Sequence, residues 1–202
     1  DITQAVDGFY GSGEAPDGTR RGNVLARMRM IALFDLSAKL RALPLGTGNK
    51  SERLLGYFTW HGDDAPPVNP LGDLYKTQVY QLARHLDLPA FVVDKAPTAD
   101  LVAGQTDEGD LGISYEKADR ILHGLLTGLD VEEIVAQGYT ANDVKLVRER
   151  LEGTLKNLTA SGPPGGSSGG RARVVRSVFE DAYNYMKSGQ LLRQVVNKIN
   201  EV

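Results

Sequence analysis

From Asn23 to Leu43 the chain carries no proline or glycine, and its apolar residues Val24, Met28, Ile31, Ala32 and Leu36 recur at the spacing of one helix face. That pattern predicts a helix. Leu74 to Leu86 repeats it, and three further helices are expected: Tyr115 to Leu126, Asp130 to Gln137 with Asp130 as N-cap, and Ala141 to Leu151 with Thr140 as N-cap. Two apolar stretches break the rhythm. Leu43 to Leu45 is a short run, and LPAFVVDK, from Leu88, is rich in Val and Phe and reads as a β-strand. ERLLGYFT, between them, suits a buried segment. Strand, helix, strand predicts a βαβ unit within an α/β fold, a parallel sheet flanked by helices, with ligand sites at the carboxyl ends of its strands. The turn GTGNKSE, residues 46 to 52, falls at such an end.

The polar stretches divide the chain. GSGEAPDGTRRG is a glycine-rich loop that sets Arg20 and Arg21 at a helix start, where a cation opposes the helix dipole and so invites another use. WHGDDAPPVNPLGD is proline-rich and irregular, and PTADLVAGQTDEGDLGISY is loop-like and acidic. ASGPPGGSSGG, Ala160 to Gly170, has the composition of a flexible tether. The expected organisation is a catalytic domain over residues 1–157, a linker over 158–170 and a helical tail over 171–202.

Composition narrows the function classes. A net charge of -3 gives no general attraction to nucleic acid or anionic membrane, so phosphate binding has to come from a local site. With no cysteine among 202 residues, disulfide and thiolate chemistry are excluded, and 41% hydrophobic residues can fill a core. No apolar run is long enough to cross a bilayer, and DITQAVDGFY lacks the features of a signal peptide, so the expectation is a soluble, cytoplasmic protein.

Thr47, Lys50 and Glu52 place a hydroxyl, a cation and a carboxylate in one turn, the groups that a cleft for a nucleoside triphosphate and Mg²⁺ requires. A polar surface turn would hold the same residues. The context decides between them: RGNVLARMRM, GTGNKSE, GYFT followed by GD, LYKTQV, KAPTADL and QTDEGDLGISY stand in the order and spacing of the ammonia-dependent NAD synthetases, which residues 1–154 resemble.

The resemblance implies a fold like that of the ATP pyrophosphatases, the adenine nucleotide alpha hydrolase-like class, and a homodimer. It implies a reaction in which ATP activates the nicotinate carboxylate of deamido-NAD, pyrophosphate leaves, and ammonia displaces AMP. By the same resemblance Thr47, Lys76 and Thr98 contact ATP, Glu52 binds Mg²⁺ and Arg27 contacts deamido-NAD. Each has a plain structural role open to it as well. These are turn chemistry for Thr47, an exposed helix position for Lys76 and Arg27, N-cap duty for Thr98, and a dipole-favoured helix start for Glu52. Asp107, Glu108 and Asp110 form an acidic cluster to which no role is assigned. Asp63 and Asp64 read as a solvated loop and His61 as structural or exposed, with no zinc-ligand spacing among the three histidines.

Three features depart from the family pattern. Trp60 stands where many relatives have a lysine, and a tryptophan stacks but cannot supply a charged donor. GTLKNLTASG replaces the usual His-Lys pair, leaving Lys156 to stand in. The Ser-Gly-Gly-x-Asp-Ser phosphate loop is not found in the sequence, so the expectation is an N-terminally truncated form, weakly active or inactive. The tail, RARVVRSVFEDAYNYMKSGQLLRQVVNKINEV, resembles a helical segment of type I restriction-modification DNA methyltransferase subunits, without their catalytic motifs. It supplies the alternative reading, a non-enzymatic DNA-associated or interaction protein. The net acidity makes nucleic acid an unexpected partner for the chain as a whole.

Overall fold

The helices of this chain begin where polar side chains can replace missing backbone partners. In the computed structural model, which describes residues 2–11, 13, 16–99, 101 and 104–160, Asp17 accepts the Arg20 N–H at 2.8 Å and opens α2, Gly18–Leu40. Asn49 and Glu52 form a reciprocal capping box at α3, Lys50–Leu55, and Asp130 and Glu133 form another at α8, Val131–Ala136. Thr140 Oγ1 accepts the Asp143 N–H at 3.1 Å as α9, Ala141–Ala160, begins. The remaining helices are α1, Thr3–Tyr10; α4, Lys76–His85; α5, Ala90–Val93; α6, Asp107–Leu111; and α7, Tyr115–Thr127. All five helices expected from periodicity form. Arg21, at the start of α2, pairs with Asp7 of α1 at 2.7 Å, which is the use its position invited.

Two compact units divide the chain, Asp1–Leu151 and Glu152–Val202. In the first, α7 packs against α3, α4 and α8. Tyr115, Ala118, Ile121 and Leu122 of α7 are buried, as are Leu111, Ile113, Ile134, Val144 and Val147. Each of the Leu, Ile and Val side chains among them contributes about 1.5–3 kcal/mol of burial. Gly124 lets α8 close on α7, because a Cβ there would lie 3.1 Å from the Ile134 side chain. In the second unit the described residues, 152–160, continue α9. Residues 158–160 of the expected linker form the end of α9, and the rest of the linker and the restriction-modification-like tail lie outside the described residues.

The described residues contain no strand, where a parallel sheet was expected. What they hold is a single parallel bridge, Leu45 to Val68, with the Gly46 N–H donating to the Val68 carbonyl at 2.7 Å. Pro44, Pro66, Pro67 and Pro70 surround it and cannot donate to a ladder, which limits the pairing to one rung. The strand expected from Leu88 is overturned. Residues 90–93 form the short helix α5, whose first carbonyl bonds come from Val92 and Val93 to Pro89 at 2.8 and 3.3 Å. Pro89 sets a helix-entry turn, and no neighbouring strand offers partners, so context overrides the β-propensity of Val and Phe. Among the described residues no helix is long and apolar enough to cross a membrane.

Candidate nucleotide and magnesium site

Two helix starts, those of α3 and α4, are tied to one buried carboxylate. Asp119 of α7, 3% exposed, accepts the Ser51 hydroxyl, the Thr77 N–H at 2.9 Å and the Thr77 hydroxyl at 2.8 Å. Ser51 Oγ in turn accepts the Lys76 N–H at 2.8 Å, and the Lys50 N–H donates to the Leu74 carbonyl at 2.9 Å. This network sets the register of residue 52 against residue 76.

Glu52 is held from both of its oxygens. Oε2 accepts the Asn49 N–H at 3.1 Å, while Oε1 accepts the Lys76 ammonium at 2.8 Å. Burial opposes the charge of Lys76, but the ion pair and hydrogen bond with Glu52 outweigh it and hold the ammonium above the usual lysine range. A cation at the first residue of α4 meets the unfavourable end of the helix dipole, so Lys76 needs this carboxylate. Asp107 Oδ2 lies 3.9 Å from the same ammonium and accepts the Tyr115 hydroxyl at 3.1 Å. Burial raises the Asp107 carboxyl above the carboxylate range, and Lys76 offsets part of that rise. Its Oδ1 is buried with no hydrogen-bond partner among the described residues. Glu52 and Asp107 offer hard oxygens beside an ammonium, and that donor set suits a divalent cation sharing phosphate oxygens. Three-carboxylate or histidine-containing metal clusters are absent among the described residues.

Thr47 stands elsewhere. It is exposed and helps to line a cavity of about 570 Å³ together with Asn23, Leu33, Gly46, Phe58 and Asp110. Gly46 is required there, because a Cβ would sit 1.9 Å from Asn69 Oδ1. Arg27, half-buried on α2, is turned toward the loop after α3, where its Nε donates to the Trp60 carbonyl at 3.0 Å. Thr98 does not line the cavity, but its segment reaches the carboxylates: the Pro97 carbonyl accepts the Asp107 N–H at 2.9 Å. Of the residues singled out in the sequence, Glu52 and Lys76 are therefore in direct contact, and of the five only Thr47 lines the cavity.

Two residues that sequence reasoning passed over, Asp119 and Asn49, and one that it left without a role, Asp107, organise the site. Asp119 had a legible signal, since it lies four residues after Tyr115 and three before Leu122, inside an apolar helix stripe where a carboxylate needs partners. Asn49 begins an Asn-x-x-Glu capping pattern. Asp107 showed only an acidic neighbourhood, while Glu108 beside it caps locally, accepting the Tyr115 N–H at 2.9 Å. Asp110 takes donors from Tyr57 at 2.8 Å and Gln105 at 2.6 Å, and they hold its carboxyl below the usual range.

Residues 1–157 match the family model described as NAD synthase. Over 151 residues the chain is 49% identical to the NH(3)-dependent NAD(+) synthetase of Chlorobaculum tepidum, an alignment covering 74% of this chain and 54% of that protein. Among solved structures it is similar to the NMN synthetase from Francisella tularensis, with a TM-score of 0.67, 30% identity and coverage of 82% of this chain and 65% of that one. It is also similar to the NH3-dependent NAD synthetase from Campylobacter jejuni, with a TM-score of 0.65, 31% identity and coverage of 83% and 64%. The chain spans about half the length of the curated relatives it matches. A family match running from the first residue through α9's Asn157, together with these relatives, shows that the chain belongs to the NAD synthase family.

Proposed function

We propose that this chain handles ATP and deamido-NAD in an ATP-dependent amide ligase. The nicotinate carboxylate attacks the α-phosphate of ATP, pyrophosphate leaves, and ammonia then displaces AMP from the adenylated carboxylate to give NAD. Support for this reading comes from the Glu52–Lys76 pair, fixed by Asp119 at the starts of two helices and backed by Asp107.

The roles follow from chemistry. Lys76 offsets charge on the departing pyrophosphate, and the Thr47 and Thr98 hydroxyls hold ATP. Glu52 would hold Mg²⁺, which when bound neutralises phosphate oxygens. Arg27 supplies a guanidinium for a dinucleotide phosphate or carboxylate. A cytoplasmic homodimer belongs to the same reading. Exposed Ile31, Leu36 and Leu40 on α2, with Leu40 68% exposed, are apolar surface that a second copy would cover.

The test is ammonia-dependent NAD formation from deamido-NAD and Mg-ATP by the purified chain, with Glu52→Ala as control. Turnover that the substitution abolishes supports the reading. A folded chain that neither forms NAD nor binds Mg-ATP overturns it. Mg-ATP binding by the same chain is measured beside turnover, as a second readout of the Glu52 and Lys76 site.

A further inference from the structure

We propose that Asp107 is a second carboxylate for the divalent cation held by Glu52, and that the Lys76 ammonium is the resident counter-ion which that cation displaces. The inference rests on the reading of Glu52 as a magnesium ligand and adds to it a residue and an exchange.

The geometry places two carboxylates around one ammonium. Lys76 Nζ lies 2.8 Å from Glu52 Oε1 and 3.9 Å from Asp107 Oδ2, and the three side chains are only 18%, 17% and 5% exposed. One ammonium cannot neutralise both acids, so the cluster is short of positive charge in a place where water screens poorly. A sheltered carboxylate oxygen without a donor costs free energy, and among the described residues Asp107 Oδ1 is such an oxygen. Asp107 Oδ2 receives the Tyr115 hydroxyl, and Tyr57, which donates to Asp110 at 2.8 Å, also acts on the Asp107 carboxyl. The spare oxygen is a buried hard donor on the carboxylate that flanks the Lys76 ammonium.

Mg²⁺ typically takes one or two carboxylates and completes its shell with water and substrate phosphates, so two acids suffice. Entry of a divalent cation alongside the lysine changes the cluster from a negative to a positive site. That is the sign a polyphosphate requires, and it frees Lys76 from Glu52 to face the phosphates. In the absence of nucleotide the lysine guards the carboxylates against stray cations.

The test uses Mn²⁺ as probe with the full chain and no nucleotide, following free Mn²⁺ by electron paramagnetic resonance. Lys76→Met removes the counter-ion and is expected to tighten Mn²⁺ binding about tenfold or more. Adding Asp107→Asn to that variant should reverse the gain, and Glu52→Gln should abolish binding. Lys76→Met binding no tighter than the wild type, or a double variant that keeps the gain, overturns the proposal. Should Lys76→Met fail to fold, ¹⁵N-lysine spectra of the intact chain serve: Mg²⁺ should shift the Lys76 Nζ resonance in the wild type and leave it in place in Asp107→Asn. An unshifted wild-type resonance at saturating Mg²⁺ overturns the exchange. Glu52-dependent NAD formation without this Mn²⁺ pattern would sink the inference and leave the ligase reading standing. The reverse pairing, the Mn²⁺ pattern with neither turnover nor Mg-ATP binding, would do the opposite.

Discussion

Arg27 Nε donates to the backbone carbonyl of Trp60 at 3.0 Å, fastening α2 to a loop 33 residues further along the chain. The residue that the family resemblance assigns to deamido-NAD thus holds the residue that replaces the family's lysine. One Nε–H is committed to the loop, and the proposed deamido-NAD contact would use the terminal nitrogens of the fork.

Arg27→Lys keeps the charge but loses that division of labour. Deamido-NAD affinity should fall about tenfold, read by calorimetry. Trp60 is the sole tryptophan, so its emission should respond to deamido-NAD in the wild type and change at rest in Arg27→Lys. Unchanged affinity removes Arg27 from the site.

Asp119→Ala should be among the most destabilising single changes in the first unit. It strands the buried Ser51 hydroxyl and the half-buried Thr77 N–H and hydroxyl, at a cost of about 3 kcal/mol in urea unfolding. Asp119→Asn keeps one acceptor oxygen and should lose less. Equal losses for both variants would mean that the charge, and not the number of acceptors, matters.

Gly46→Ala pushes a methyl group into Asn69 Oδ1, whose own amide is committed to the Pro66 carbonyl at 2.9 Å. The expected cost is about 1–3 kcal/mol, with weaker Mg-ATP binding because the turn must move. Wild-type stability in this variant would show that Asn69 gives way freely.

Alkaline pH offers a separate check. Burial, followed by the Asp119 charge, pushes the Tyr75 hydroxyl up to about 12. Burial, then neighbouring Asp107 and Asp110, raise Tyr57 as well, and burial with Asp107 and Glu52 raises Tyr115. Between the ordinary tyrosine value and these raised ones the native state keeps protons that the unfolded chain releases. Stability is therefore lost as pH rises from about 10 toward 12. Tyr75→Phe should flatten the lower part of that loss. At neutral pH it should cost under about 1 kcal/mol, since the Tyr75 hydroxyl is buried without a partner among the described residues. Absorbance at the tyrosinate band across a pH series measures both.

Helices were legible in this sequence wherever local chemistry sufficed. Asp130 and Thr140 cap where their side chains allow, and α7 follows its apolar stripe. The strand from Leu88 misled because Val and Phe prefer sheets only when a sheet is there to receive them. In the structure Phe91 is 79% exposed and Val93 alone of the four α5 residues is buried. At the site, Glu52 and Lys76 were readable one by one through the family motif, but their contact depends on Asp119, which approaches from 42 residues beyond Thr77. A pairing of that kind is set by packing, and no local pattern encodes it. Asp107 was named without a role for the same reason, since an acidic run does not show which of its members the fold buries.

The lone rung between Leu45 and Val68 has a practical outcome. A turn anchored by one backbone hydrogen bond, with Leu45 59% exposed and Val68 40% exposed, opens at low free energy while α7 remains shut. The Gly46 amide should exchange with deuterium far ahead of those of Ile121 and Leu122. A protease added to the native chain should make its first cuts around the Gly46 turn and the proline-rich loop after it, and slower cutting with Mg-ATP present would place the nucleotide there.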